Sequence, residues 1–176
     1  MTSSEMDGTN VVSEQDPVDF TREHWAACNQ PGVDHFAAMG AMMRTHQLMV
    51  AEMDRILKPH GISRTAFLLM ATLLMSRDHT RPLGQLSKHL MVHPTTVTLV
   101  IDQLDSRKLV TRTPHSTDRR TVLATLTDEG RDLLTKAGED LAGAQFGLTG
   151  VSTALAQRLT TSLGQARARM GDVPAT

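Results

Sequence analysis

Tyrosine is absent from this 176-residue chain, tryptophan and cysteine occur once each, and aromatic residues make up only 3% of the whole. The lone Cys28 excludes an intramolecular disulfide framework and any cysteine-rich zinc site, and it fits a reducing cytoplasm. No apolar run approaches the length that spans a bilayer, and no basic-then-apolar stretch opens the chain. The sequence therefore predicts a cytoplasmic protein without a membrane partner. Catalytic signatures are missing as well. There is no G-x-S-x-G, no H-E-x-x-H, no phosphate-cradling glycine loop and no paired-carboxylate arrangement in a cleft-like context, so no enzyme is expected. The eight histidines are spread along the chain with no His/Glu/Cys cluster at ligand spacing, which predicts neither a metal nor a cofactor.

What is present is unevenly arranged. The net charge is −1, yet residues 1–34 carry seven acids against one arginine, a balance of −6. Residues 77–120 carry eight Lys and Arg against four acids, a balance of +4, with His79, His89, His93 and His115 in the same stretch. An acidic arm beside a basic middle suggests an anionic partner for the middle, although an evenly solvated surface accounts for surface charge equally well in isolation.

The length suits one domain with a proper core. Residues 1–17 are polar and acidic and read as a disordered arm. A short helix after Pro17 carries Phe20, His24, Trp25 and Cys28 and stops at the turn signal NQPG. From Val33 to Lys58 the pattern is one long helix ended by Pro59 and Gly61. Its His35, Met39, Met42, His46, Met49 and Met53 are spaced four, three, four, three and four apart, an a/d seam for packing along other helices. Thioether and imidazole also suit soft cations, but no carboxylate or thiol joins the stripe, so a core or dimer seam is the reading favoured.

Ser63 caps a second helix, RTAFLLMATLLMSR, whose Phe67, Met70, Leu73 and Leu74 can face inward. After the turn DHTRP, the pieces LGQLSKHL and PTTVTLVIDQLDSRK form a helix-turn-helix, with Pro94 opening the latter helix and Val97, Val100, Ile101 and Leu104 as its buried stripe. LVTRT and TVLATLT alternate as strands around PHSTDRR and predict a two-stranded hairpin. Thr127 caps a helix reaching about Gly147, and a last helix runs from near Val151 to about Met170.

Helix-turn-helix followed by a hairpin is a winged helix, whose recognition helix fits the major groove of duplex DNA. The predicted contacts are Lys88, His93, Pro94, Thr95, Thr96 and Thr98, with Arg112 and the wing pair Arg119 and Arg120, which a narrow minor groove would accept. Asp118 is placed to brace one arginine so that the other points in a fixed direction. The fold class follows: mainly α with a small β wing, a winged helix-turn-helix lobe over 61–127 between helical regions over 18–60 and 128–170, and a tail over 171–176.

From Gly61 to Leu134 the chain resembles the MarR family of bacterial transcriptional regulators. Asp102, Leu104, Asp105, Leu109, Val110, Arg112, Asp118, Arg119, Arg120, Leu126, Thr127, Gly130 and Arg131 match that family's pattern in order and spacing. The resemblance implies a homodimeric repressor, its dimer held by the helical regions over 18–60 and 128–170, on an inverted-repeat operator in double-stranded DNA and relieved by a small, often aromatic or phenolic, effector. It places that effector between the dimerisation helices and the winged lobe, where Trp25, Met43, His46, Phe67, Met70 and Leu74 are the candidates, each also suited to plain packing.

Departures from the pattern are specific. Leu99 stands where many members carry Arg after the TVT run, which shifts readout towards the threonines and DNA shape. Lys108 replaces the usual Gly before the first wing strand, a change expected to matter little to function. The extra N-terminal helix resembles the urate-responsive, PecS-like branch, but Leu68 occupies the place of that branch's ligand-site Asp. Two alternatives stay open: a winged helix that binds protein, which Leu99 would suit, and a redox-responsive regulator using Cys28, with only His24 nearby to lower its pKa.

Overall fold

The computed structural model describes residues 15–118 and 121–172. The chain divides into two compact units, residues 1–47 and residues 48–176, each considered by itself. Among the described residues no helix is long and apolar enough to cross a membrane.

The first unit contains α1 (Pro17–Ala27) and the start of α2 (Val33–Leu57). Asp16 begins α1: its side chain accepts from the backbone N–H of Val18 and Asp19, satisfying donors that the first turn leaves open. Gln15 Nε2 donates to Glu23, so the described end of the acidic arm belongs to this helix, while residues 1–14 lie outside the described residues. Trp25 stacks on Phe36 with ring centroids 4.2 Å apart and donates its indole N–H to the Pro31 carbonyl at 3.0 Å. Of the a/d seam in this unit, His35, Met39, Met42 and His46 are all exposed.

In the second unit the rest of α2 brings Met53, Ile56 and Leu57 into the core. A 3-10 turn over Lys58–His60 ends at Gly61, whose φ of +66° is a conformation that costs glycine little. Then follow α3 (Arg64–Leu74), β1 (Thr80–Pro82), α4 (Leu83–Leu90), α5 (Pro94–Ser106), β2 (Val110–Pro114), β3 (Val122–Leu126), α6 (Asp128–Gly143) and α7 (Thr153–Arg169). Ser63, Thr127 and Ser152 cap α3, α6 and α7 by accepting from the N–H of Ala66, Gly130 and Leu155. Each such cap is worth about 0.5–2 kcal/mol.

The wing has more than its predicted two strands. The sheet is antiparallel in the order β1-β3-β2, with Arg81 and Arg112 both opposite Ala124. Residues 80–82, expected as turn, pair with β3 through Pro82, and the Thr80 and Thr125 hydroxyls meet at 2.8 Å. A stretch of three residues is too short for alternation to reveal. Two helix ends also differ. The helix α3 stops at Leu74 rather than running to Arg77, and α6 stops at Gly143 before a separate 3-10 turn over Gln145–Gly147.

The core of this unit joins α2, α3, α4, α5, α6 and the sheet through Leu57, Leu69, Met70, Leu73, Leu86, Ile101, Val110 and Leu141, all fully buried. Each such side chain contributes about 1.5–3 kcal/mol of transfer free energy. Leu74, expected to face inward, is 37% exposed at the end of α3. Leu73 is fully buried as expected, and the inward stripe of α3 ends there, with Leu74 at the last position of the helix turned away from it.

Candidate nucleic-acid interface

The buried stripe of α5 fixes what its other side can do. Val97, Val100, Ile101 and Leu104 are locked into the core, so Thr95, Thr98, Leu99 and Asp102 face outwards along one strip. Between α4 and α5, Met91 turns the chain with a left-handed φ of +52°. His93 then caps α5 through a 3.3 Å contact from the Thr95 N–H to its Nδ1, which requires that nitrogen to be unprotonated. His93, Pro94, Thr95, Thr96 and Thr98 are all exposed at the positive end of the helix dipole, where an anionic group is favoured.

A groove beside this strip is lined by Gln85 and Lys88 of α4, Thr98 of α5, and Arg112, Thr121 and Val122 of the wing. It thus brings together three of the residues that the sequence nominated for DNA contact: Lys88, Thr98 and Arg112. The Arg112 guanidinium makes an ion pair with Asp102, joining β2 to the outward side of α5. Both residues stand in the family pattern, but ten positions apart in sequence, and nothing in their spacing revealed that they meet. Arg112 therefore lines the groove while its charge is shared with Asp102 on the helix beside it.

The wing turn is held by its own backbone and by Asp118. His115 N–H donates to the Thr121 carbonyl at 2.9 Å, Thr121 N–H to the Asp118 carbonyl at 2.9 Å, and the Thr121 hydroxyl to Asp118 Oδ2 at 2.7 Å. Thr121, absent from the sequence-based candidates, is thus a partner through which Asp118 shapes the turn. Arg119 and Arg120 lie outside the described residues.

The base of the wing explains a motif that sequence alone could only match. Thr127 donates its hydroxyl to the Lys108 carbonyl at 2.8 Å and accepts from the Gly130 N–H at 3.0 Å, while its own N–H reaches the Leu109 carbonyl at 3.2 Å. A Cβ on Gly130 would overlap the Leu109 carbonyl oxygen, so the third residue after Thr127 has to be glycine. This knot sets where β2 leaves α5 and where β3 enters α6.

The residues nominated for an effector are dispersed in role. Phe67 and Met70 belong to the core of the second unit, and Leu74 sits partly exposed at the end of α3. In the first unit Trp25 stacks on Phe36, whereas Met43 and His46 are exposed on α2.

An exposed helix N-terminus, a cationic groove and a braced wing on one lobe define the winged helix-turn-helix class of nucleic-acid-binding modules. The family model described as "MarR family" matches residues 62–122. Sco5413, a MarR family transcriptional regulator from Streptomyces coelicolor, is 31% identical, with a TM-score of 0.74 over 82% of this chain and 100% of that one. The chain belongs to the MarR family of transcriptional regulators. The regulator MhqR of Bacillus subtilis is 28% identical over 93 residues, 53% of this chain and 63% of MhqR, so the match spans somewhat less than two thirds of that relative. Sco3205 of Streptomyces coelicolor, a family member whose crystal structure is in complex with DNA, shares the fold at a TM-score of 0.68 and 19% identity, over 78% of this chain and 88% of that one.

Proposed function

We propose that this chain is a homodimeric repressor that binds an inverted-repeat operator in double-stranded DNA and is released by a small aromatic or phenolic effector. The observation that carries the DNA reading is the exposed N-terminal face of α5, flanked by Lys88 and Arg112 in one groove. Cations beside the groove neutralise phosphates, and the helix N-terminus reaches base edges. Sco3205 binds DNA with the same fold.

The dimer accounts for apolar side chains that the chain leaves in water. Met39, Met42 and Met43 of α2 are exposed, as are Leu155 and Leu163 of α7. Two copies related by a twofold axis would carry two recognition helices, which matches an operator with half-sites about one helical turn apart. Repression and its relief by an effector follow the family's usual logic, and the Met-rich α2 supplies adaptable apolar surface.

The test is fluorescence anisotropy with DNA upstream of the protein's own gene beside a scrambled duplex, titrated at several salt concentrations. Sequence-specific binding appears as a preference for the upstream duplex that survives moderate salt. Equal, weak and steeply salt-dependent binding to both removes that promoter as the target. A second reading, a winged helix turned to a protein partner, draws on Leu99 and Met91, which are 57% and 82% exposed at the same end of the lobe.

A further inference from the structure

The recognition helix carries no lysine or arginine anywhere from Pro94 to Ser106. The commonest specific base contact, arginine or lysine to guanine, is therefore not available from α5. Two of the polar groups on its outward strip are already engaged. The Thr98 hydroxyl donates to the Pro94 carbonyl at 3.1 Å, and the Asp102 carboxylate is held by Arg112. Beside the Thr95 side chain, the surface that the strip leaves open is apolar. Pro94, Thr95, Thr98, Leu99 and Asp102 line one shallow depression, and Leu99 is more than half exposed within it.

A single exposed leucine is ordinary on a protein surface, and its position is what gives it meaning. The adjoining groove, which shares Thr98, holds Lys88 and Arg112, so the apolar strip is continuous with a cationic one. A partner that is anionic at its edges and apolar at its centre fits both. In the major groove of DNA the thymine C5-methyl is the apolar group that base edges present, and phosphates border it.

We infer that Leu99, supported by Thr95 and Thr98, reads thymine C5-methyl groups in each operator half-site, so that this chain selects its operator by methyl contact. The inference rests on the DNA-binding reading above and deepens it, by naming the base chemistry that the site recognises. Leu99 takes over the work of an absent arginine with a different specificity: thymine in place of guanine. Lys88 and Arg112 then fix the register of the helix on the duplex without choosing the sequence.

The experiment begins with the tightest duplex that the full-length protein retains from a random-sequence pool. Each thymine of that duplex is replaced in turn by deoxyuridine, which deletes the methyl and leaves every hydrogen-bonding group in place. At one thymine or more in each half-site the wild type should lose about fourfold in affinity, the equivalent of roughly 0.8 kcal/mol for one buried methyl. In Leu99→Ala the thymine and deoxyuridine duplexes should bind alike at that position. The inference is overturned if every deoxyuridine duplex binds the wild type as tightly as its thymine parent, or if the loss persists undiminished in Leu99→Ala. Those results would leave sequence-specific DNA binding intact. A pool that yields no duplex surviving moderate salt would overturn the DNA reading itself and give the apolar strip to a protein partner.

Discussion

Helices α3 and α7 both carry leucines at helical spacing, yet they treat them in opposite ways. In α3, Phe67, Leu69, Met70 and Leu73 are buried, and even Thr72 is covered, its hydroxyl donating to the Leu68 carbonyl at 2.8 Å. In α7 no residue is buried, and Leu155 and Leu163 are exposed. The difference separates two tasks within one unit. The winged lobe closes its core from its own chain, so the position of α5 and the wing needs nothing from outside. The leucines of α7 have no cover of that kind, which makes them available to a second copy. In the proposed dimer, a self-contained core at the winged lobe and association through α7 would thus fall to different helices.

The closed core is most sensitive where α3 enters it. Leu73→Ala should destabilise the protein by about 2–5 kcal/mol, the range for deleting a fully buried leucine and leaving a cavity. A urea midpoint near that of the wild type would show that the core is less closed than its burial implies. Next in size is Gly130→Ala at the base of the wing. The new methyl would overlap the Leu109 carbonyl oxygen and force β2 away from α6, at about 1–3 kcal/mol. Circular dichroism melts would measure it, and a neutral result would refute the tight approach at the knot.

Much of this lobe was legible in sequence. Capping residues Ser63 and Thr127, Pro94 at the start of α5, and the stripe from Val97 to Leu104 all obey local rules, and local rules place helices well. What sequence hid was non-local. The strand β1 exists because β3 offers it hydrogen-bonding partners, and three residues carry no period of their own. Arg112 and Asp102 meet because β2 folds back on α5, a fact that no spacing rule contains. Lys108 shows the reverse case, a local feature visible in sequence but lacking a physical reason until the backbone was known. It sits at φ +61° just after α5, where its N–H reaches the Asp105 carbonyl at 2.9 Å and the Leu109 N–H reaches the Leu104 carbonyl at 2.9 Å. This helix-ending turn favours glycine, because a Cβ in the left-handed region crowds the backbone. Lys108→Gly should therefore stabilise the lobe by about 0.5–1 kcal/mol, whereas Lys108→Ala keeps the Cβ and gains nothing. Equal urea midpoints for the two variants would contradict this account.

The smallest effect on the fold is expected on α7. Leu163→Glu places a charge on α7 where the wild-type leucine is 44% exposed, so it removes no core contact from the chain. At dilutions where the wild type is itself monomeric, the unfolding curves of the two proteins should coincide to within about 0.5 kcal/mol, as for other surface substitutions. At higher concentrations they should part. A leucine covered by a second copy contributes to association, whereas a glutamate buried there would be an unpaired charge. Sedimentation equilibrium should then find the wild type as a dimer and Leu163→Glu shifted towards monomer, with operator affinity falling because two half-sites are no longer bound together. If the variant dimerises as well as the wild type, the exposed leucines of α7 serve something other than the dimer, and the contrast with α3 loses its functional meaning.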